Sequence, residues 1–254
     1  MTATPTTTSR LRAWLVSSVI LALLAVAGVA ILVPRGGAEP AVAAERATTP
    51  PEDVLQADPT TGTRVAYLGD SYTVGTGARS AEAGWVSLLD ETFGWQGANL
   101  GCGGSGYVAL GSSCEMTYDE RIDQVVAVDP DAVIVSGGLN DVRSTRDLNL
   151  LKKAVDKTFA DLRSALPDAQ IVAVSPLWSA DRTPPNISIL GAIVQSAAAK
   201  VDGTYLDIGQ PLLGRPDLMF RDGVHPNDAG HRAIASAVGE ALIEVAVDPR
   251  PAGL

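Results

Sequence analysis

The sequence predicts an α/β domain, a three-layer α/β/α sandwich around a mostly parallel sheet, and three observations carry that expectation. Short apolar runs alternate with helix-period segments from Arg64 onward. The first three runs each end in a polar turn that contains glycine: Gly69-Asp70-Ser71, Gly101 to Gly106, and Gly137-Gly138-Leu139-Asn140-Asp141. At 254 residues, 46% of them hydrophobic, the chain is long and apolar enough for one domain with a full core plus an appendage.

Each element follows from its residues. Val65-Ala66-Tyr67-Leu68 reads as the first strand, and residues 80 to 93 as a helix with Trp85, Leu88, Leu89 and Phe93 on one face. Ala98-Asn99-Leu100 is the second strand, residues 118 to 128 a helix, and Ala132-Val133-Ile134-Val135 a buried third strand. A long amphipathic helix is expected over 147 to 165, followed by a strand at Ile171-Val172-Ala173-Val174. A helix near 186 to 200, a strand at Thr204-Tyr205-Leu206 and a closing helix near 228 to 246 complete the series. Strands that alternate with helices imply parallel pairing, with helices on both faces.

The domain is expected over residues 63 to 247, with 248 to 254 as a disordered tail. Ahead of it, residues 13 to 33 carry no charge, and these 21 positions reach roughly 32 Å as a helix, enough for a hydrocarbon core of about 30 Å. Residues 1 to 12 form a tail in which Arg10 and Arg12 closely precede the apolar run, which sets the start inside and the rest outside. Ala41-Val42-Ala43 followed by Ala44 reads as a cleavage site, so two outcomes stand: a retained transmembrane anchor, or a signal peptide removed near Ala43. Either way the domain is expected to be extracytoplasmic. Residues 34 to 62 carry seven Pro and Gly residues up to Pro59 and read as a flexible linker.

Cysteine usage agrees with export. The only two, Cys102 and Cys114, lie in a Gly- and Ser-rich stretch where an oxidising compartment lets them pair; the alternative is two unpaired small residues. A net charge of -10 without a basic stripe argues against nucleic acid as a partner. Two Cys and two scattered His do not make a metal site, and no metal or other cofactor is expected.

Open α/β sheets bind ligands beyond the carboxyl ends of their strands, so the three glycine-bearing turns converge on one rim. Asp222-Gly223-Val224-His225-Pro226-Asn227 enters that rim just before the last helix. A serine hydroxyl needs a base to remove its proton and a third group to orient that base. Ser71, His225 and Asp222 fill those roles, and the three-residue spacing lets Asp222 and His225 share one turn.

These blocks resemble the SGNH hydrolases, the GDSL-type esterases and lipases. The resemblance rests on Gly69-Asp70-Ser71, the glycine turn after Asn99, Gly138-Leu139-Asn140-Asp141 and Asp222-Gly223-Val224-His225, in the family's order. It implies the flavodoxin-like SGNH fold, with Ser71 as nucleophile, His225 as general base and Asp222 as its orienting carboxylate. It also implies an oxyanion hole made of the Ser71 N–H, a glycine N–H within 101 to 106 and the Asn140 side chain. Counting from Asn99 selects Gly104, with Gly103 next.

Gly101, Gly103 and Gly106 also satisfy G-x-G-x-x-G, but Tyr107 to Cys114 offers no helix to seat a pyrophosphate, which excludes dinucleotide binding. His231 is expected as a solvated residue on the closing helix, Trp178 as either a wall of the substrate cleft or packing at the rim, and Asp70 and Asp141 as braces of the catalytic turns. The function expected is an extracytoplasmic, monomeric serine esterase acting on carboxylic esters without a cofactor. With 5% aromatic residues and no long apolar lid, short-chain or acetyl esters, small or carried on glycans, are preferred to long-chain lipids. Transfer of the acyl group to a saccharide, and a glycan-binding module without turnover, are the alternatives.

Overall fold

Five parallel strands form the sheet: β1 (Arg64–Gly69), β2 (Gln96–Gly101), β3 (Ala132–Ser136), β4 (Gln170–Val174) and β5 (Thr204–Leu206). Their order is β2-β1-β3-β4-β5. The structure is a computed structural model that describes residues 62–247. The expected tail 1 to 12, the apolar segment 13 to 33, all but the last residue of the linker and the tail 248 to 254 lie outside the described residues. Among the described residues no helix is long and apolar enough to cross a membrane.

Among the described residues seven α-helices accompany the sheet: α1 (Ser71–Val74), α2 (Trp85–Phe93), α3 (Ile122–Ala127), α4 (Leu139–Ser144), α5 (Leu148–Ala165), α6 (Pro185–Ala199) and α7 (Asp228–Val247). The central strands are apolar on both sides because both sides are covered. Val65, Tyr67, Ile134 and Val172 pack against Trp85 and Leu89 of α2 and Ile234 and Val238 of α7. Ala66, Leu68, Val133, Val135 and Ile171 turn to the opposite layer, against Val155 and Phe159 of α5 and Leu190 and Val194 of α6. Each large side chain buried this way contributes about 1.5 to 3 kcal/mol. The edge strand β2, with one neighbour, is the polar exception: Gln96, Gly97 and Asn99 are exposed.

The chain runs outward from β1 to β2, then crosses back over β1 to β3, so β1 and β3 are neighbours whose outgoing connections leave in opposite directions. Such a switch point opens a crevice at the carboxyl ends of the two strands. Ser71 follows β1 and Asn140 follows β3, so the topology alone brings two of the expected site residues together.

Two helices are shorter than the periodicity predicts. The helix expected from residue 80 begins at Trp85, since Gly84 is extended and Ala81–Ala83 closes as a separate 3-10 turn. The helix expected from residue 118 begins at Ile122 after a 3-10 turn at Asp119–Arg121. Arg121, at φ -108°, breaks the helical run, and its guanidinium points into the protein, onto the carbonyls of Leu100 and Gly69. The longest helix of that layer, α5, starts where Asp147 accepts the N–H groups of Asn149 and Leu150 at 2.9 and 3.1 Å. Loss of such a cap costs about 1 kcal/mol. Asp147→Ala is therefore expected to lower the stability of the protein by about that amount in urea denaturation.

Candidate active site

The site begins where β1 ends. A Cβ at Gly69 would collide with Thr73 and with the carbonyl of Ser136, so only glycine lets the chain leave the strand so close to its neighbours. Asp70 then caps α1, its Oδ1 accepting the Tyr72 N–H at 2.9 Å, and Ser71 occupies the first position of that helix.

The imidazole of His225 arrives from the other end of the domain. The loop ahead of α7 is held by the Tyr72 hydroxyl, which donates to the Val224 carbonyl at 2.6 Å, and by the Phe220 N–H on the His225 carbonyl at 2.7 Å. Asn227 donates to the Asp217 and Met219 carbonyls and accepts the Ala229 and Gly230 N–H groups, tying that loop to the start of α7. His225 Nε2 lies 3.0 Å from Ser71 Oγ, and its Nδ1 lies 2.7 Å from Asp222 Oδ2. The other oxygen, Asp222 Oδ1, accepts the N–H groups of Val224 and His225 at 2.9 and 3.0 Å. Desolvation opposes the charge on Asp222, but the bonds from the His225 ring and from these two N–H groups outweigh it and hold the carboxyl down at about 2. An ionised Asp222 keeps the proton of His225 on Nδ1 and leaves Nε2 free to accept.

The second and third turns meet beside Ser71. The Cys102 N–H and the Ser105 hydroxyl both donate to the Gly69 carbonyl, and Asn140 Nδ2 donates to the Ser105 carbonyl at 3.0 Å. Only one amide hydrogen of Asn140 is used in that bond. Gly104 has φ +80°, a left-handed conformation that a side chain disfavours, while the Gly103 carbonyl accepts the Ser112 N–H and hydroxyl. Cys102 and Cys114 are joined by a disulfide, which closes the loop that carries both glycines.

Under this rim lie three buried charged groups. Asp141 Oδ1 accepts the N–H groups of Val108 and Ala109, and Oδ2 that of Tyr107, at 2.7 to 3.0 Å. Arg121 donates to the carbonyls of Leu100 and Gly69 and to the Ser105 hydroxyl, linking the ends of β1 and β2 to the glycine turn. Burial pushes the Asp70 carboxyl up to about 7 against the Tyr72 N–H, which favours the charge; Asp141 raises it further, while His225 and Arg121 draw it down.

Asp70 and Asp141 brace the turns as the sequence leads one to expect. His231 differs: it is fully buried, and its Nε2 lies 3.2 Å from the Thr76 carbonyl, so it packs behind α1 and is not a solvated residue. The side chain faces inward because α7 covers the sheet layer that holds Val65 and Tyr67. Trp178 is half-buried after β4, with the Arg143 guanidinium 5.0 Å above its ring. Arg121 and Tyr72 escape a reading of the sequence. Tyr72 adjoins Ser71 and is at least a candidate by position, whereas nothing in the local pattern separates Arg121 from a surface arginine. Among the described residues no group of His, Cys, Asp and Glu is arranged to hold a metal ion.

A serine at a strand-turn-helix junction, an imidazole in contact with it and a parallel three-layer sandwich fit a carboxylic ester hydrolase, the class that known proteins assign. Residues 67–233 match the model of the GDSL-like lipase/acylhydrolase family. The chain is 30% identical over 186 residues to the GDSL lipase Rv0518 of Mycobacterium tuberculosis, covering 68% of this chain and 79% of that one. Among solved structures, the esterase EstA of Pseudoalteromonas superposes with a TM-score of 0.57 at 18% identity, over 73% of this chain and all of the other. A family two carbohydrate esterase of Clostridium thermocellum, in complex with cellohexaose, gives 0.58 at 14% identity, over 72% of this chain and 63% of that one. The chain belongs to the GDSL-like lipase/acylhydrolase family.

The buried Asp70 makes stability depend on pH. Its carboxyl titrates near about 3.9 in an unfolded chain and about 7 here, so between those values the folded state holds the extra proton and stability falls as pH rises from about 4 to about 7. Asp70→Asn keeps an oxygen for the Tyr72 N–H and removes this titration. Urea denaturation at pH 5 and pH 8 is expected to show a smaller loss of stability between the two for the variant than for the native protein; an equal or larger loss contradicts it.

Proposed function

We propose that this protein is an extracytoplasmic serine esterase that hydrolyses short-chain carboxylic esters through an acyl-enzyme intermediate on Ser71. The observation that carries the reading is the Ser71 Oγ to His225 Nε2 separation of 3.0 Å, with Asp222 on the far side of the ring. His225 takes the serine proton as Oγ attacks the ester carbonyl, and then gives it to the departing alcohol. Water, deprotonated by the same imidazole, releases the acid and restores Ser71.

Charge gathers on the carbonyl oxygen only during attack, so donors fixed beforehand lower the barrier. In this reading the Ser71 N–H, the Gly104 N–H and the second amide hydrogen of Asn140 are those donors. The bond from Asn140 to the Ser105 carbonyl supports it, because it holds the amide in place before substrate arrives. The chemistry is complete in these residues and calls for no metal or cofactor.

Location outside the cytoplasm is supported by the apolar run at 13 to 33 and by a disulfide, which persists in oxidising compartments. Short acyl groups are supported by the lean aromatic content. Esters on saccharides are supported by the likeness to a carbohydrate esterase.

Hydrolysis of p-nitrophenyl esters of increasing chain length tests the reading: turnover is expected to be highest with acetate and to fall with longer chains, and rising turnover toward long chains overturns the preference. Ser71→Ala is expected to keep the fold by circular dichroism while turnover drops by several orders of magnitude. Asp222→Asn, which leaves the imidazole without its anionic partner, is expected to lower kcat by about 10⁴-fold. Asn140→Ala should lower kcat by about 10²- to 10³-fold with KM little changed, and an effect confined to KM would assign Asn140 to substrate binding.

A further inference from the structure

A second cleft opens on the same rim, between α6 and the ends of β4 and β5, with a volume of about 530 Å³. We propose that it is the leaving-group site of the esterase and receives a neutral, polyhydroxylated alcohol, a saccharide. The proposal rests on the assignment of Ser71 as the nucleophile.

Position comes first. Ser175 directly follows β4 and Asp207 directly follows β5, and all strands are parallel, so the cleft faces the side of the sheet from which Ser71 emerges. β4 lies two strands from β1, roughly 10 Å away, so a single ring held at Ser71 falls short of the cleft and a short chain of sugars reaches it. Trp178 bridges the interval. Its N–H is held by Gln210 Oε1 at 2.8 Å, Gln210 lines the cleft, and the Trp178 ring stacks under Arg143 of α4, three residues beyond Asn140.

The lining sets the ligand class. Ser175, Thr183, Ser188, Gln195, Tyr205 and Asp207 present hydroxyl, amide and carboxylate groups, while Ile187 and Leu213 add apolar surface. Among the described residues no Lys, Arg or His lines the cleft, so none of them would neutralise a phosphate or carboxylate ligand there. An acyl chain would strip water from these polar groups and return no hydrogen bonds. A sugar ring, with hydroxyls at its edge and C–H groups on its faces, meets both kinds of surface.

Several of these groups are free to bind. Gln210 spends both ends of its amide on the protein, on the Trp178 N–H and the Pro176 carbonyl, and Ser175 accepts the Ile208 N–H; these form the fixed wall. Thr183 Oγ1 is buried and has no hydrogen-bond partner among the described residues. Asp207 uses Oδ1 on the Gly209 N–H, and a carboxylate at a cleft wall is a strong acceptor for a sugar hydroxyl.

The test uses the full chain with p-nitrophenyl acetate, with acetylated cellotetraose, xylotetraose and mannotetraose, and with the unacetylated sugars. Ala192→Trp fills the cleft from an exposed position on α6. It is expected to raise KM for the acetylated sugars about tenfold or more, with p-nitrophenyl acetate kinetics unchanged. If that variant does not fold, the smaller Ala192→Leu is read in the same way. Titration calorimetry of Ser71→Ala with the three unacetylated sugars is expected to detect binding that the added Ala192→Trp change abolishes. Ester hydrolysis without binding of any of the three, or an equal loss on both substrate types, overturns the cleft. Sugar binding that depends on Ala192 without any hydrolysis of p-nitrophenyl acetate would overturn the esterase reading and leave the cleft as a saccharide site.

Discussion

The hydrogen bond between Ser71 and His225 joins the two ends of this domain at its polar rim. Ser71 and His225 are 154 residues apart and meet at 3.0 Å, and much of the surrounding structure serves to hold that separation. Ser71 is positioned by a strand end and a helix cap, both rigid. His225 sits on a loop, and loops drift unless tied. The ties are specific: the Tyr72 hydroxyl on the Val224 carbonyl, Asp222 on the N–H groups of its own turn, and Asn227 stitching the loop to α7. Tyr72 is next to Ser71 in the chain, so the same short helix that presents the hydroxyl also fixes the loop that brings the imidazole.

Buried charge has a comparable part beneath the rim. Asp141 gathers three N–H groups of the segment after the glycine turn, and Arg121 gathers carbonyls from two strands and a hydroxyl from that turn. Neither stands in an ion pair among the described residues; each acts as a multi-pronged partner for backbone groups that would otherwise be buried unsatisfied. The cost of removing such groups from water falls on the folded state, and Asp70, raised to about 7, shows it most plainly. A polar rim resting on two apolar layers is how this domain combines a defined core with a reactive edge.

Much of this was legible in the residues. Runs such as Val65 to Leu68 and Ala132 to Val135 are apolar at every position, which only a strand covered on both faces tolerates, and both are central strands. Asp222 and His225 are three residues apart, so their contact is a local matter that spacing already implies. Less legible were features that depend on what lies across space. His231 shares a helix pattern with exposed neighbours, and its burial follows from where α7 lies on the sheet. Arg121 sits in what reads as a helix, and the helix breaks there as its guanidinium reaches two strand ends that are distant in sequence.

The sequence by itself determined the sandwich, the rim on which its polar turns gather, the serine, histidine and aspartate, and the family to which those blocks belong. Local periodicity and short-range spacing encode all of these. The tertiary structure alone decided the strand order that sets β1 beside β3, the contact between Ser71 and His225, the pairing of Asn140 with the Ser105 carbonyl, and the polar cleft beside β5. The physical reason is one of range: a side chain's pattern reports which face it turns inward, whereas the partner it meets there is chosen by how whole elements pack.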